Sequence, residues 1–314
     1  MRAAGHAVRI LVRSPGSVVQ GRADPGLQIV GGDMRRREDL VRALGGIEVV
    51  YHLARANAKL WSEYLRDDVE VTRQLGDLCV EHGVKRLIYT GTIASLDLTR
   101  GAGVVRCEAP LDRRIARRSH YVRAKAMGEQ ILLALHRERG LGVVILRPAI
   151  VIGRGSSPCH WGVAMWNGPG VCQLWGEGND KLPFVLVEDV ATALVSALAA
   201  PGIDGKSYNL SARASLTARE YVDELQRHAG MQVQVLAVPI WRYWLTDMAK
   251  WAVKALVGHP DGKRVPSYHD WLCRTHAAPF DCAAAERDLH WQPVSDRDEI
   301  IRRGIQAPLD ELLG

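Results

Sequence analysis

Short runs of apolar residues alternate, along the first half of the chain, with stretches in which apolar residues recur every three or four positions. The short runs predict buried strands and the periodic stretches predict helices, because these spacings place apolar side chains on buried faces. Ser14, Pro15 and Gly16 are predicted to form the turn after the first strand. The predicted strands are residues 7–13, 27–30, 47–54, 86–90 and 143–146.

The periodic stretches predict helices through Leu40 and Leu44, over residues 61–82, and around Tyr121. Gly83 is predicted to end the second of these. Strands that alternate with helices predict an α/β fold with a parallel sheet covered on both faces and right-handed crossovers. Ligands of such sheets bind at the carboxyl ends of the strands. Asp33, Thr92 and Arg147 are predicted to lie there.

The composition, with 47% hydrophobic and 24% charged residues, is typical of a soluble globular protein. A net charge of +6 suits anionic small molecules, and we expect no nucleic-acid partner. The six cysteines have no CxxC pair and no metal-ligand spacing, which predicts reduced thiols and no metal. The N-terminus does not resemble a signal peptide and no apolar run reaches the ~18 residues of a membrane span, so we expect a cytoplasmic protein.

Tyr121 and Lys125 lie four residues apart in a predicted helix and therefore share one helix face. A free tyrosine has a pKa of about 10 and is a poor base at neutral pH. A neighbouring lysine cation favours the phenolate, so Tyr121 is a candidate general acid or base. Alone, such a pair is more often an exposed tyrosine and lysine on a solvated helix, and its interpretation depends on the surrounding motifs.

Eight further motifs accompany this pair, at residues 5–13, 32–33, 50–54, 83–92, 146–153, 184–190, 208–210 and 289–293. With them, the chain resembles the extended short-chain dehydrogenase/reductase family of NAD- or NADP-binding epimerases, dehydratases and reductases. The resemblance implies a Rossmann-type doubly wound parallel sheet with a smaller, mostly helical substrate domain. It implies an NAD(P)-binding domain of residues 1–152 plus about 183–210. The substrate domain would comprise about 153–182 plus 211–314.

The resemblance also implies catalytic roles for three residues. Thr92 stands where the family has the Ser or Thr that hydrogen-bonds the substrate oxygen. Tyr121 would exchange a proton with that oxygen, while Lys125 would bind the nicotinamide ribose and lower the tyrosine pKa. These roles agree with the chemistry of hydride transfer, which needs a proton partner on the carbinol oxygen.

Cofactor contacts are implied along the strand ends. Asp33 matches the acidic residue that holds the adenine, with the alternative that it is the N-cap of a helix starting at Met34. Asp68 and Thr72 stand where the family usually has Asn and Thr. The remaining residues that the resemblance implies for the cofactor site are Met34, His52, Leu53, Ala54, Thr90, Pro148 and Ile150, together with Tyr121 and Lys125.

Arg13 ends the first predicted strand, where NAD-preferring relatives carry an acidic residue. A guanidinium there suits the 2′-phosphate of NADP, and Ser14 would add a hydrogen bond, so of NAD and NADP the sequence favours NADP. The alternative is a solvated arginine at a turn.

The family's glycine-rich turn after the first strand has no counterpart in this sequence. Residues 1–6 resemble the end of the helix that follows that turn, so the resemblance implies that the first βα unit is missing. That turn normally holds the pyrophosphate through backbone N–H groups. Two explanations remain open: a start assigned too far downstream, or a truncated chain that binds cofactor poorly or not at all.

The leading hypothesis is an NAD(P)-dependent oxidoreductase or epimerase that acts on a hydroxyl or keto group of a nucleotide-activated sugar. Lys181 to Phe184 lacks the arginine of the family's Arg-Asp-Phe segment, and the nearby tryptophans agree with the alternative of a dihydroflavonol-reductase or 3β-hydroxysteroid-dehydrogenase type. A non-catalytic nucleotide-binding protein is the third hypothesis. A homodimer is the expected assembly.

Two surface features have competing interpretations. A cluster of basic residues before the Tyr121 helix either faces an anionic substrate or forms a solvated loop: Arg113, Arg114, Arg117 and Arg118. An apolar helical face from Trp241 to Ala255 either lies on a membrane surface or packs on its own domain.

Overall fold

The computed structural model describes residues 1–2, 5–14, 16, 26–167, 170–230 and 232–313. Ala3 and Ala4 of the first segment and Pro15 of the predicted turn lie outside the described residues. The chain divides into two compact units. Unit 1 comprises Met1–Thr90, Met127–Ile145 and Ala197–Lys206, and unit 2 comprises Gly91–Ala126, Leu146–Ser196 and Ser207–Gly314. This division follows packing alone and assigns a ligand to neither unit.

Unit 1 begins with alternating strands and helices, as the sequence predicts. β1 and β2 form a parallel pair with Val8 opposite Leu27, and β3 and β4 form another with Val49 opposite Arg86. The elements are β1 (Val8–Val12), β2 (Leu27–Gly31), α1 (Arg37–Leu44), β3 (Val49–His52), α2 (Trp61–Tyr64), α3 (Glu70–Glu81) and β4 (Arg86–Thr90). The parallel α/β class is therefore confirmed.

The helix predicted over residues 61–82 is helical over nearly its whole length but is not uniform. Between α2 and α3 the chain forms a π-helical turn, Leu65–Val69, in which the Glu70 N–H donates to the Leu65 carbonyl oxygen. Gly83 follows with a φ of +66°, a left-handed conformation that glycine adopts without strain, and the helix ends.

Two elements pass from one unit to the other along the chain: α4 (His120–Arg139) and β5 (Gly142–Pro148). Within unit 1, β5 neighbours β4 in the sheet. The α4 backbone approaches β4 closely at Gly128, where an added Cβ would lie 2.6 Å from the Tyr89 hydroxyl oxygen. Leu78, Leu87 and Leu132 join the same core with no exposed surface. Gly128 thus allows α4 to pack on the strand.

Unit 2 contains several small sheets. β6 pairs parallel with β10, β8 pairs antiparallel with β7 and parallel with β13, and β9 pairs antiparallel with β12. β11 belongs to none of these small sheets and neighbours β5. The strands of unit 2 are β6 (Ile150–Ile152), β7 (Ala164–Trp166), β8 (Val171–Trp175), β9 (Lys181–Leu182), β10 (Phe184–Leu186), β11 (Ser207–Leu210), β12 (Leu216–Thr217) and β13 (Gln234–Val238).

Helices make up much of the second half of unit 2. α6 begins with a capping box in which Thr217 accepts from the Glu220 N–H, and Tyr221 of this helix stacks on Phe184 at 5.4 Å between ring centroids. The helices are α5 (Val187–Ser196), α6 (Ala218–Ala229), α7 (Ile240–Leu256), α8 (Tyr268–Leu272), α9 (Ala283–Asp288), α10 (Arg297–Ile301) and α11 (Ala307–Leu313).

Within the described ranges, none of the helices combines the length and the apolar character that crossing a membrane requires.

Candidate functional site

The threonine with a predicted catalytic role follows β4. The Gly91 N–H donates to the Leu146 carbonyl oxygen at 2.8 Å, which places this segment beside the last residues of β5. Thr92 is 9% exposed, and its hydroxyl oxygen accepts a hydrogen bond from the Ala94 N–H at 3.2 Å. This contact uses the oxygen as an acceptor, so the hydroxyl hydrogen remains available for donation. The geometry suits a hydroxyl that donates to a substrate oxygen.

Tyr121 and Lys125 both lie in the first turns of α4, as predicted. Tyr121 is the second residue of the helix and is partly exposed, whereas Lys125, one turn further on, is 2% exposed. Their spacing puts both side chains on one helix face. Burying an ammonium group is unfavourable unless polar contacts compensate for its lost hydration. A buried cation one turn from a partly exposed phenol is the arrangement that acid–base chemistry at Tyr121 requires.

Arg118 connects the segments that carry these residues. It lies two residues before α4, is 3% exposed, and donates from Nη1 to the Leu96 carbonyl oxygen at 3.1 Å. Leu96 ends the 3₁₀ turn that follows Thr92. Both interpretations of the basic cluster were therefore wrong for Arg118, which is buried, while Arg113, Arg114 and Arg117 are exposed as a solvated loop requires.

Two carboxylates neutralise Arg118. Its Nη1 donates to Asp112 Oδ2 at 2.8 Å and its Nε to Asp270 Oδ1 at 2.9 Å. The same Asp270 oxygen accepts the Ser119 N–H at 3.0 Å, so a residue near the end of the chain holds the segment just before α4. Among the sequence patterns considered, none indicated this ion pair, because its partners are 152 residues apart.

His269 completes the buried network, with Nε2 lying 2.8 Å from Asp112 Oδ2. Burial opposes ionisation of Asp112, but hydrogen bonds from the Arg114 backbone, Arg118 and His269 lower its pKa overall. Asp97, His269 and Cys273 offer potential metal-ligand atoms within 4.8 Å of one another. Burial raises the pKa of Cys273 to about 11, so this side chain is a thiol at neutral pH. Cys273 Sγ lies 3.7 Å from His269 Nε2, which makes Cys273 part of the same hydrogen-bonded network.

The end of β5 is buried in unit 2. Arg147 is 4% exposed and donates from Nη1 to the Cys107 carbonyl oxygen at 3.2 Å. Pro148 is also buried. Ile150, which was predicted to contact the cofactor, packs in the hydrophobic core, and its N–H donates to the Pro183 carbonyl oxygen at 2.9 Å.

Asp33, at the carboxyl end of β2, is bound locally by Arg35. The Arg35 side chain and backbone N–H both donate to the carboxylate, with the backbone contact at 3.0 Å, and they lower the pKa of Asp33 to about 2. α1 starts only at Arg37 with Arg36 as its N-cap, so the interpretation of Asp33 as the N-cap was wrong. The backbone at Gly32 lies close to the Asp39 side chain. A Cβ at residue 32 would be 2.9 Å from that side chain, so the position requires glycine.

The other predicted cofactor residues of unit 1 differ in their exposure. Arg13, Ser14, Leu53 and Ala54 are exposed directly after β1 and β3, whereas Met34 packs against the core. Thr90 ends β4, and its buried Oγ1 has no hydrogen-bond partner among the described residues. Exposed strand ends and an unsatisfied buried hydroxyl are features expected where a polar ligand binds.

His52 has a structural environment. Its Nε2 lies 3.0 Å from the Thr72 hydroxyl, and its ring lies 5.4 Å from that of Tyr89. Thr72 in turn donates to the Asp68 carbonyl oxygen at 2.7 Å. The Asp68 side chain is buried, with Oδ2 3.5 Å from the Ala56 N. The His52 side chain thus braces β3 against α3.

An arginine surrounded by tryptophans is a further feature of unit 2. The Arg274 guanidinium lies 4.7 Å from the Trp271 ring centroid, 5.6 Å from Trp175 and 6.0 Å from Trp161. Its Nη2 is 3.7 Å from Asp270 Oδ2, while its Nε has no acceptor among the described residues. Of the whole Arg274 side chain, 26% remains exposed, and burial of the guanidinium lowers its pKa.

The pKa of His276 predicts that the free energy of unfolding depends on pH. Burial lowers its pKa to about 3, and the charges of Arg118, Arg274 and His160 act in the same direction. An unfolded histidine has a pKa near ~6.5, so below that pH the unfolded chain binds a proton that the folded chain does not. The free energy of unfolding should therefore fall with pH from ~6.5 towards 3, by up to about 1.4 kcal/mol per unit.

Urea denaturation at several pH values checks this expectation. His276 has a φ of +49°, and asparagine tolerates that conformation, so His276→Asn should remove the contribution without straining the backbone. Its unfolding free energy should depend less on pH than that of the wild type. His82→Asn, at an exposed histidine, is the control and should follow the wild type. Parallel curves for wild type and His276→Asn would contradict the assignment.

Comparison with known proteins identifies related sequences over most of the chain. A family model described as "NAD dependent epimerase/dehydratase family" matches residues 1–211. A 3β-hydroxysteroid-dehydrogenase/decarboxylase (isoform 2) of Arabidopsis thaliana is 27% identical over 295 residues, which are 90% of this chain and 52% of that protein. The chain thus spans about half the length of that relative.

A bacterial relative is similar in length. The 2-alkyl-3-oxoalkanoate reductase of Stenotrophomonas maltophilia is 27% identical over 301 residues, covering 89% of this chain and 87% of that protein. Among solved structures, the UDP-glucuronic acid 4-epimerase of Bacillus cereus in complex with UDP-glucuronic acid and NAD superposes with a TM-score of 0.74. It is 18% identical and covers 99% of this chain and 93% of its own, which shows a shared Rossmann-type fold.

Proposed function

Because the chain belongs to the NAD dependent epimerase/dehydratase family, a family of enzymes, we propose that Tyr121 is the acid/base of an NAD(P)-dependent oxidoreductase or epimerase. The observation that carries this proposal is Lys125, an ammonium that is 2% exposed one turn from Tyr121. A buried cation at this position stabilises the phenolate and makes proton exchange at the tyrosine oxygen effective near neutral pH.

The roles of the catalytic residues follow from their donors and acceptors. The Thr92 hydroxyl donates to the substrate oxygen and orients the carbinol or carbonyl group. Tyr121 takes the proton from that oxygen in the oxidative direction and returns it in the reductive direction. Lys125 holds the phenolate and donates to the ribose of the cofactor. Arg118 positions both segments through its contacts with Leu96 and Asp270.

Unit 1 has features that fit a nicotinamide dinucleotide. The buried Thr90 hydroxyl has no protein partner among the described residues, and Leu53 at the end of β3 is 54% exposed. NAD(P), when bound, supplies hydride transfer. Asp33 and Met34 would hold the adenine, while Leu53 and Ala54 would line the site and His52 would brace it from behind. Pro148 and Ile150, which belong to unit 2, are assigned to the cofactor by the family resemblance. The assignment of residues 1–152 plus about 183–210 to cofactor binding belongs to this proposal.

Arg13 is proposed to select NADP. Its exposed guanidinium after β1 would pair with the 2′-phosphate, and Ser14 would add a hydrogen bond. We expect Arg13→Gln to weaken NADPH binding by about tenfold to a hundredfold, as for the loss of one hydrogen bond to a charged group, and to leave NADH binding unchanged. Fluorescence titration measures both affinities. Arg36→Gln removes another exposed arginine of unit 1 as the control. Equal wild-type affinities for NADPH and NADH would refute the preference.

The proposed substrate is a secondary alcohol or ketone on an apolar carbon skeleton. In unit 2, Trp175 and Tyr243 pack with Trp271 in an aromatic cluster, and Trp161 at its edge is 52% exposed. An exposed indole beside aromatic rings suits an apolar ligand. The names of the Arabidopsis and Stenotrophomonas relatives describe alcohol and ketone chemistry on such skeletons, which supports the proposal.

A nucleotide-activated sugar is the second candidate substrate. Arg274 favours it, since an arginine with a partly exposed side chain among tryptophan rings can bind a phosphate while the rings stack on a base. The segment Lys181 to Phe184 offers no arginine for the same purpose.

Turnover assays distinguish the two candidates. The full chain is incubated with NADH or NADPH and a long-chain 2-alkyl-3-oxo acid, with NAD or NADP and a 3β-hydroxysteroid, and with NAD and UDP-glucose. Cofactor absorbance reports net oxidation or reduction, and chromatography of the sugar nucleotide reports epimerisation. Reduction of the oxo acid or oxidation of the steroid supports the first proposal, and epimerised UDP-glucose supports the second. Absence of turnover and of cofactor binding would overturn both.

A further inference from the structure

Polar atoms of several α7 side chains form hydrogen bonds with other segments of unit 2. The indole N–H groups of Trp244 and Trp251 donate to the carbonyl oxygens of Pro266 and Gly262 at 3.2 and 2.9 Å. The Tyr243 hydroxyl donates to the Leu174 carbonyl oxygen at 3.2 Å. Asp247 accepts the Trp271 indole N–H at 3.0 Å. These contacts fix which side of α7 packs on unit 2.

The opposite side of α7 is apolar and exposed. Trp241, Leu245, Val253 and Leu256 are 52%, 48%, 61% and 86% exposed. At 100° per residue they fall within an arc of about 120°, together with the exposed alanines. We call this surface the α7 outer face, defined by Trp241, Leu245, Ala249, Ala252, Val253 and Leu256. A soluble helix usually places its apolar stripe towards the core, so this helix has the reverse arrangement.

The charges around the α7 outer face are basic. Arg242 and Lys250 are exposed beside it. Asp247 is the one acidic residue of α7, and it points to the packed side and binds Trp271. Lys254 lies 3.1 Å from Asp261 and is neutralised there. Arg242 and Lys250 have no ion-pair partner among the described residues, and both lie at the same edge of the apolar stripe.

We propose that the α7 outer face binds the surface of an anionic lipid membrane. An exposed apolar stripe with a tryptophan and flanking Lys and Arg residues is the pattern of a helix that lies in the headgroup region. The stripe enters the acyl boundary, while Arg242 and Lys250 meet the lipid phosphates. A second copy docked on this face across a two-fold axis would bring the same cations together, so the charges favour an anionic partner.

Flotation with lipid vesicles tests the proposal on the full chain. We expect binding to vesicles of phosphatidylcholine with phosphatidylserine, and about thirtyfold weaker binding to phosphatidylcholine alone, as two surface cations predict. Leu256→Glu should weaken binding at least about tenfold by removing one large apolar contact. Arg242→Gln with Lys250→Gln should abolish the preference for anionic vesicles.

Matched variants separate this surface from general effects. Leu312→Glu changes a leucine that is 72% exposed in α11. Arg297→Gln with Arg302→Gln removes two exposed cations, one at the first residue of α10 and one directly after its end. These variants should bind vesicles like the wild type. Circular dichroism establishes that each variant is folded. Failure of the wild type to float, or undiminished binding of folded Leu256→Glu, would overturn the proposal. Light scattering that shows a dimer dissociated by Leu256→Glu, without vesicle binding, would assign the face to self-association instead.

Discussion

Tyr121→Phe is expected to lose turnover by about a hundredfold to ten-thousandfold, the usual contribution of a general acid or base. The phenyl ring keeps the volume and helix position of Tyr121 but has no proton to exchange with the substrate oxygen. Lys125 remains buried in the same turn, so NADPH and NADH should bind as tightly as in the wild type. Initial rates with the substrate identified by the turnover assays, together with cofactor titration, measure the two effects separately.

Tyr268→Phe provides the matched control, because it removes the hydroxyl of a tyrosine that is 42% exposed in α8. Its turnover should equal that of the wild type. Unchanged activity of Tyr121→Phe would refute the catalytic assignment. Loss of both turnover and cofactor binding would instead assign Tyr121 a role in the cofactor site alone.

Arg118→Met is expected to lower the free energy of unfolding by about 3–5 kcal/mol, the usual effect of removing one partner from a buried ion pair. Methionine fills part of the volume but leaves Asp112 buried without its arginine partner, while Asp270 keeps only the longer contact with Arg274 at 3.7 Å. The Asp112 side chain is only 2% exposed and the Asp270 side chain 15%, so water replaces little of the lost guanidinium at Asp112. Urea denaturation measures the difference.

Two further substitutions sharpen the test of Arg118. Arg117→Met removes the same charge from an exposed neighbour and should change stability by no more than about 0.5 kcal/mol. Arg118→Lys keeps the charge but replaces the planar guanidinium, which binds both carboxylates, with a single ammonium group. The stability of this variant should therefore lie between that of the wild type and that of Arg118→Met. An Arg118→Met variant as stable as the wild type would show that the network contributes little.

Local patterns were sufficient to predict the strands and helices of unit 1. The apolar runs that became β1 to β4 lie within about two residues of their predicted ends. Of these strands only β4 is mostly buried, whereas β1, β2 and β3 are mostly half-buried or exposed. The π-helical turn Leu65–Val69 was not predictable, since a change from α to π hydrogen bonding leaves the periodicity of apolar residues almost unaltered.

The candidate site residues also divide into those that the sequence predicted and those that it did not. Thr92, Tyr121 and Lys125 were found from a motif, and their burial and helix positions suit the roles proposed for them. The sequence did not distinguish Arg118 from the other three arginines of its cluster, because its sequence neighbours are equally basic. Only the tertiary contact with Asp270 distinguishes it. The Asp33 N-cap interpretation failed for a related reason, as α1 begins three residues later than the sequence suggested.

The partners of Arg118 also bear on how the chain can be divided. The family match ends at residue 211, whereas Asp270 and His269, which hold the segment before α4, come from α8. A fragment limited to the matched region would contain Thr92, Tyr121 and Lys125 yet lack half of the ion-pair network that fixes them. In engineering terms, the C-terminal hundred or so residues are not an exchangeable substrate module. Chimeras that replace them would need to supply a carboxylate in the place of Asp270.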